Sequence, residues 1–175
     1  MAVTLTIEDG TNVEGANSYM TVEALRIFAT NRGVTLSADD NVVAAQAINA
    51  MDYLRTYDLK WAGIPTFEDQ ALPFPRDQIL LPTTGQYLDA NEIPQALMAA
   101  QGHLVIAQQQ GITLLPNADI GLPVVKEKIG PIETVYATPK DAGYPDNRVN
   151  LPIIDALLAP YLAQFTGARL RAVRI

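Results

Sequence analysis

The sequence predicts a mainly α protein: a small helical bundle of about four helices with a long proline-rich loop, a β-hairpin arm and an extended C-terminal tail. Three observations support this prediction. Four segments place apolar residues at the three- and four-residue spacing of a core-facing helix. Five prolines interrupt residues 57–94, which excludes a continuous helix there. Residues 124–136 alternate apolar and polar side chains about Gly130-Pro131, as two short strands do.

Length and composition favour one folded domain rather than a multidomain enzyme. The 175 residues are 49% hydrophobic and 18% charged, which is enough apolar material for a core. With no cysteine and one histidine, His103, the chain excludes thiolate metal sites, disulfides and paired imidazoles. No apolar run reaches the roughly 18 residues of a membrane span, and the start lacks a secretory signal pattern. We therefore expect a single domain over residues 1–162, followed by a basic tail over 163–175, whose docking role is implied by the family resemblance given below.

The first elements are a short strand and two helices. Apolar residues alternate with threonines over residues 3–7, which predicts a strand. Thr21 is placed to cap a first helix that Gly33 ends. Ser37 is placed to open a longer helix over about residues 38–56. The core-facing stripe of this second helix consists of Val43, Ala47, Ile48, Met51 and Leu54.

A long loop, residues 57–94, separates the second helix from the third. Its aromatic residues favour order, and we expect Trp61 and Phe74 to pack in the helical core rather than to stack on a ligand. The third helix is predicted over residues 93–110, where Gly102 marks a close approach by another helix. Its buried stripe consists of Leu97, Ala100, Leu104 and Ala107.

The hairpin, a second loop and a last helix make up the C-terminal third. Because a two-stranded hairpin is marginal alone, the one at residues 124–136 should lean on the domain or on a neighbouring subunit. Residues 138–150 have the composition of a loop. Asn150 is placed to cap the last helix, which Pro160 ends or kinks near Leu157. The apolar side of that helix consists of Ile153, Leu157, Leu158 and Leu162.

Charge is distributed unevenly along the chain, whose net charge is −7. Residues 1–119 contain 14 acidic and five basic residues, whereas residues 120–175 contain five acidic and seven basic ones. Residues 78–124 contain neither Lys nor Arg, and three arginines crowd the last seven positions. Such a tail is either a solvated terminus or a docking arm. An acidic body with a basic tail suits head-to-tail contact between identical subunits.

No constellation of residues predicts catalysis, a metal site or a cofactor. His103 has no acid at helical spacing to orient it, so we expect it at the surface or rim. Adjacent carboxylates, as at Asp39-Asp40, point apart instead of converging on a substrate. Asp141 and Asp146 lack the twelve-residue ligand pattern of a calcium loop, and nucleotide, hydrolase and zinc-protease motifs are missing. We therefore predict that the protein is not an enzyme.

Nucleic-acid binding requires a basic stripe and exposed aromatic rings. Tyrosines and Trp61 supply rings, but the first 119 residues supply little positive field. A basic patch would have to come from Lys126, Lys128, Lys140, Arg148 and the three C-terminal arginines. Single-stranded-DNA binding as an accessory protein is the alternative hypothesis to the structural role described next.

The order and spacing of several short motifs resemble a known family. In chain order the motifs are Ala16-Asn17-Ser18-Tyr19, Thr21-Val22-Glu23, Ile48-Asn49-Ala50-Met51-Asp52-Tyr53, Trp61-Ala62-Gly63, Ala71-Leu72-Pro73-Phe74-Pro75-Arg76, Ile93-Pro94-Gln95-Ala96-Leu97, Val125-Lys126-Glu127-Lys128-Ile129-Gly130-Pro131-Ile132 and Leu157-Leu158-Ala159-Pro160-Tyr161-Leu162. Taken together, the chain resembles the tailed-phage head-tail adaptor (connector) family, whose members are often labelled DnaT-like single-stranded-DNA-binding proteins. The similarity covers about residues 16–162, and order and spacing carry it because each motif alone has low specificity.

The resemblance implies a helical protein that is monomeric in isolation and assembles as a ring, commonly of twelve copies, beneath the portal in the virion neck. Such a protein is made in the host cytoplasm. The ring joins the portal to the tail or to a stopper ring, and genomic DNA passes through its lumen without specific binding. The portal-docking residues would be Arg169, Leu170, Arg171, Val173, Arg174 and Ile175. The contacts with neighbouring subunits and the next ring would be made by Lys126, Glu127, Lys128, Ile129, Ile132, Pro73, Phe74 and Arg76.

Overall fold

The computed structural model describes residues 2–115, 125–129, 132–136 and 149–163. Its helices are α1 (Val22–Thr30), α2 (Asp40–Arg55), α3 (Gln95–Gln109) and α4 (Pro152–Leu158). Two short antiparallel sheets pair β1 (Ile64–Pro65) with β2 (Arg76–Asp77) and β3 (Val125–Ile129) with β4 (Ile132–Tyr136). The protein is therefore mainly α, and α1, α2 and α4 each contact α3.

The starts of α1 and α2 are fixed by side-chain caps. The hydroxyl of Thr21 accepts the backbone N–H of Ala24 at 3.1 Å, which confirms the predicted cap of α1. At α2 the predicted cap is wrong. The carboxylate of Asp39, not the hydroxyl of Ser37, accepts the first unpaired N–H group, from Asn41 at 2.9 Å. The helix begins two residues later than expected because the stronger, charged acceptor lies two residues further along the chain.

The start of α4 also differs from the prediction. Leu151 occupies the cap position in an extended conformation, and no side chain caps the helix, so the predicted role of Asn150 is wrong. The buried side changes with this start: Ile154 and Leu158 are fully buried, whereas Ile153 is half exposed. The predicted stripe was therefore misplaced by one residue at its beginning.

The N-terminal segment is held by a turn and does not form the predicted strand. Over residues 3–7 the strand-like pairing is a single parallel bridge between Ile7 and Ser18, beside which the carbonyl of Thr6 accepts the backbone N–H groups of Asn17 and Ser18 at 2.9 and 3.2 Å. The buried carboxylate of Glu8 accepts the backbone N–H groups of residues 10, 12 and 13 at 2.8, 3.1 and 3.0 Å. Because the chain turns immediately after Glu8, residues 3–7 have no partner strand beyond that bridge.

α3 is buried on several sides. The four residues of its predicted stripe are buried, which confirms that prediction. A Cβ atom at Gly102 would lie 2.5 Å from the ring of Phe28, so this glycine permits the close approach of α1, as predicted. The carboxamide of Gln101, fully buried, accepts the N–H of Tyr19 at 3.1 Å and donates to the hydroxyl of Ser18 at 2.8 Å. The segment before α1 is thereby tied to α3.

A row of aromatic rings orders the long loop. Tyr57 lies 5.8 Å from Trp61, which meets Phe74 edge to face at 5.2 Å, and Phe74 meets Tyr161 in the same way at 6.1 Å. Trp61 and Phe74 are both buried, which confirms their predicted place in the core. The loop is therefore packed against the helices over this region.

The last described residues are clamped to the segment that follows α2. Tyr161–Ala163 lies antiparallel to Lys60–Ala62, with Trp61 opposite Leu162. Two backbone hydrogen bonds, of 2.9 and 2.7 Å, join the segments. The chain therefore reaches residue 163 at a fixed point beside the aromatic row.

The hairpin prediction is confirmed for the backbone of β3 and β4. Their register places Lys126 opposite Val135 and Ile129 opposite Ile132. The five residues of β3 pair one to one with the five residues of β4. Residues 137–148 and the tail over 164–175 lie outside the described residues.

Candidate interaction surface

Three residues predicted to contact a neighbour are buried within the protomer instead. Pro73, Phe74 and Arg76 have almost no exposed surface. The guanidinium of Arg76 donates to the backbone carbonyls of Ala62, Gly63 and Pro73 at 2.8, 3.0 and 3.4 Å. Burial lowers the pKa of this group, and these carbonyls compensate part of its lost hydration. The expected interface role of the three residues is corrected to an internal one, because their side chains hold the loop together.

A different part of the same loop is exposed and apolar. Residues 79–81 lie antiparallel to residues 86–88, and Leu80 pairs with Tyr87. Successive side chains of an extended segment point to opposite faces. Ile79 and Leu88 are 0% and 6% exposed, whereas Leu80 and Tyr87 are 53% and 69% exposed. We call Leu80 and Tyr87 the outer pair.

The outer pair was not predicted from the sequence, although a signal was available. The apolar run Ile79-Leu80-Leu81 precedes a Pro-Thr-Thr-Gly turn, and Tyr87-Leu88 follows it. This pattern is typical of a hairpin. Apolar side chains on both faces are typical of strands that are covered on both sides.

All five basic residues of residues 2–115 are engaged within the protomer. One forms an ion pair of 2.6 Å with Asp40, and two lie over aromatic rings at 3.4 and 5.5 Å from the ring centroids. The other two donate to backbone carbonyls. These residues are Arg26, Arg32, Lys60, Arg55 and Arg76. The carboxylates of this part of the chain outnumber them, so its electrostatic potential is negative.

A polar groove of about 500 Å³ lies between α2 and the residues that follow α3. Carboxamides line it: Gln108 donates to the backbone carbonyl of Gln46 at 2.7 Å, and Asn49 donates to Gln108 at 3.3 Å. The buried Oε1 of Gln46 has no hydrogen-bond partner among the described residues. The described residues bring no aromatic ring and no cation to the lining of the groove, so they offer neither stacking nor phosphate contacts to a nucleotide there.

His103 lies half-buried on α3, next to α1. Its ring meets Phe28 edge to face at 5.3 Å. Burial lowers its pKa, and the nearby charge of Arg32 lowers it further. The described residues bring no carboxylate to this ring by hydrogen bond or ion pair.

The described part of the chain contains neither a metal-binding cluster nor a helix that could span a membrane. Its His, Asp and Glu side chains form no group of three that could hold a metal ion. Among its helices, none has the length and apolar character needed to cross a membrane.

The remaining predicted interface residues belong to the hairpin and the tail. Lys126, Glu127, Lys128, Ile129 and Ile132 lie on β3 and β4. The tail residues, Arg169 to Ile175, and the other candidate DNA-binding bases, Lys140 and Arg148, lie outside the described residues.

Residues 3–175 match the model of a family described as "Putative DnaT-like ssDNA binding protein". The chain belongs to this family. No curated protein and no solved structure matches it. The family description names single-stranded DNA and no part of a virion, so it agrees with the DnaT-like label of the resemblance and with the alternative hypothesis. The head-tail adaptor assignment stays a prediction.

Proposed function

We propose that this protein is a structural head-tail adaptor of a tailed bacteriophage, which forms a ring between the portal and the tail or next neck ring. The observation that carries the proposal is the surface of residues 2–115: acidic, with every cation engaged internally, and with an exposed apolar pair on an ordered loop. Such a surface suits protein contacts better than phosphate contacts.

The same charge distribution suits passage of DNA. A duplex carries one negative charge per ~1.7 Å of its axis, so a basic lumen would hold it and an acidic one repels it. A ring of acidic bodies lets the genome slide through without a bound state. The basic tail over residues 169–175 is then the segment suited to docking on the portal.

Purified virions test this proposal. We expect the full chain in particles of the phage that encodes it, and we expect a variant that ends at residue 168 to leave filled heads without tails. Absence of the chain from intact particles would contradict the adaptor function. Normal joining of heads to tails by the truncated variant would contradict the docking role alone.

Single-stranded-DNA binding is the second candidate, because the family description names that ligand. The basic side chains available for binding DNA are those of residues 120–175. A DNA binder loses affinity steeply with salt, with a slope of about −0.7 per phosphate contact in a plot of log K against log salt concentration.

A labelled single strand at low salt separates the two candidates. The adaptor proposal expects no salt-sensitive affinity. Tight binding that falls with salt, and that weakens in a variant with Lys126, Lys128 and Arg148 replaced by alanine, would favour DNA binding instead. Binding that this triple variant does not weaken would place the DNA site elsewhere.

A further inference from the structure

We infer that the Asp9–Gly10 link is a site of covalent modification, which isomerises spontaneously to isoaspartate when the turn around Glu8 opens and cannot close that turn again afterwards. We call residues 8–13 the Glu8 turn. The reaction takes no enzyme and no cofactor. The site is separate from the surface on which the proposed function depends, because the residues of the Glu8 turn alone define it.

The sequence supplies one dipeptide of the most reactive class. In an Asp-Gly link the backbone nitrogen of the glycine attacks Cγ of the aspartate, a Cγ–N bond forms, and one carboxyl oxygen leaves as water. Water then opens the succinimide ring at the original backbone carbonyl, so the chain continues through Cγ at unchanged mass. Glycine has no side chain to hinder the attack. Asp9–Gly10 is the single Asp-Gly in the sequence, which contains no Asn-Gly.

The Glu8 turn withholds the nucleophile. The backbone nitrogen must lose its proton before it attacks, but the N–H of Gly10 donates to Oε1 of Glu8 at 2.8 Å. Both residues are buried, so a base in the solvent does not reach this proton while the turn is closed. A negative charge on the nitrogen would also lie beside the carboxylate of Glu8, and like charges repel strongly at such a distance away from water.

The same turn occupies the electrophile. Oδ1 of Asp9 accepts the hydroxyl of Thr11 at 2.6 Å and the backbone N–H of Thr11 at 3.1 Å. These bonds lower the pKa of Asp9, so its exposed carboxyl group stays ionised at neutral pH. An ionised carboxylate is a poorer target for a nucleophile than the acid is. Isomerisation therefore requires local opening of the turn, which releases both reacting groups.

The product does not fit the closed turn. Isoaspartate adds one methylene group to the backbone between residues 9 and 10 and so displaces Gly10. This glycine has φ 100°, and an added Cβ atom would overlap the carbonyl oxygen of Asn91, which leaves no room for a longer backbone. Glu8 also accepts the N–H groups of residues 12 and 13, at 3.1 and 3.0 Å. The modified chain therefore loses the hydrogen bonds that hold the Glu8 turn together.

Peptide mapping of the full-length protein measures the reaction. Trypsin releases residues 1–26, whose single aspartate is Asp9, and the isoaspartate form of this peptide elutes separately at unchanged mass. In neutral buffer the folded protein should accumulate isoaspartate about tenfold more slowly than the same chain in urea, because the reaction follows the fraction of open turn. Equal rates would overturn the inference, and so would a chain that forms no isoaspartate even in urea.

The variant Glu8→Gln tests the role of the buried carboxylate, and Glu14→Gln is its matched control. Both changes remove one negative charge from the same peptide, and Glu14 is exposed. Because hydrogen bonds to a charged acceptor are the stronger ones, Glu8→Gln should isomerise about tenfold faster than the wild-type protein, and the control should match the wild type. A rate for Glu8→Gln that is unchanged or slower, or an equal acceleration in the control, would overturn the inference.

A milder variant decides the matter if Glu8→Gln unfolds the protein, which the fluorescence of Trp61 would show. Thr11→Val removes the hydroxyl group that donates to Asp9, at an exposed position. It should raise the rate about two- to fivefold in the folded protein. An unchanged rate in this variant would overturn the inference.

Hydrogen exchange on the purified isoaspartate form tests the consequence for the turn. The N–H groups of residues 10, 12 and 13 donate to Glu8 and should be protected in the unmodified protein. They should lose that protection together after isomerisation. Protection that survives in the isoaspartate form would contradict the inference that the product cannot close the turn.

Discussion

Replacing Phe74 by alanine should destabilise the isolated protomer. The side chain is 0% exposed, and its ring meets Trp61 and Tyr161 edge to face at 5.2 and 6.1 Å. Truncating such a buried ring costs about 3–5 kcal/mol in free energy of unfolding, which includes the loss of the ring contacts. With a urea m-value of about 2 kcal/mol per M, the unfolding midpoint should fall by roughly 1.5–2.5 M.

The matched control is Tyr87→Ala, in the same loop. Tyr87 is 69% exposed, so its truncation should change the free energy of unfolding by less than about 0.5 kcal/mol. Urea unfolding followed by the fluorescence of Trp61, the single tryptophan of the chain, measures both variants with one probe. Similar midpoints for the two variants would refute the reasoning, since Phe74 would then contribute no more to the fold than a surface ring does.

Three further changes test the packing of α3. Gly102→Ala brings a Cβ to 2.5 Å from the ring of Phe28. Although alanine favours a helix, this contact should lower the free energy of unfolding by about 1–3 kcal/mol, measured by thermal unfolding. An unchanged Tm would mean that α1 moves aside to accommodate the methyl group. Gln101→Leu leaves a buried N–H group and a hydroxyl without their carboxamide partner and should cost about 1–3 kcal/mol in urea unfolding, whereas a stabilised variant would contradict those hydrogen bonds. Burial lowers the pKa of His103 in the folded protein, so as pH falls the unfolded chain is protonated before the folded one. The stabilisation that the neutral, packed ring provides is therefore present above pH 6.5 and is lost as pH falls through the lowered pKa. An NMR titration of this single histidine should give that lowered pKa, and Arg32→Gln should raise it; no change on removing the guanidinium would show that burial acts alone.

The helices were predictable because burial repeats along their sequences. The stripe of α3 and the place of Gly102 follow from spacing alone, and the structure confirms both. Helix starts were less predictable, since neighbouring polar residues compete for the same unpaired N–H groups. Asp39 takes this role from Ser37, and a carboxylate and a hydroxyl two residues apart look equally suitable in a sequence.

The long loop shows why the candidate surface was only partly predictable. An aromatic ring such as Phe74 is buried equally well by its own core or by a neighbour, so the sequence supported both roles. Arg76 is buried with its guanidinium bound to the carbonyls of Ala62 and Gly63, 14 and 13 residues earlier in the chain, which no local pattern reveals. The outer pair had a local signal, but its exposure depends on which face the rest of the chain covers.

The clamp between residues 60–62 and 161–163 has a mechanical consequence. A force applied to the chain beyond Ala163 acts first on the two backbone hydrogen bonds between these segments. It acts next on Trp61, whose indole packs between the rings of Tyr57 and Phe74. The load is therefore borne by the core around Trp61, and it does not unfold α4 from its C-terminal end. In the adaptor function proposed above, this route would keep the protomer folded when a partner pulls on its C-terminal tail.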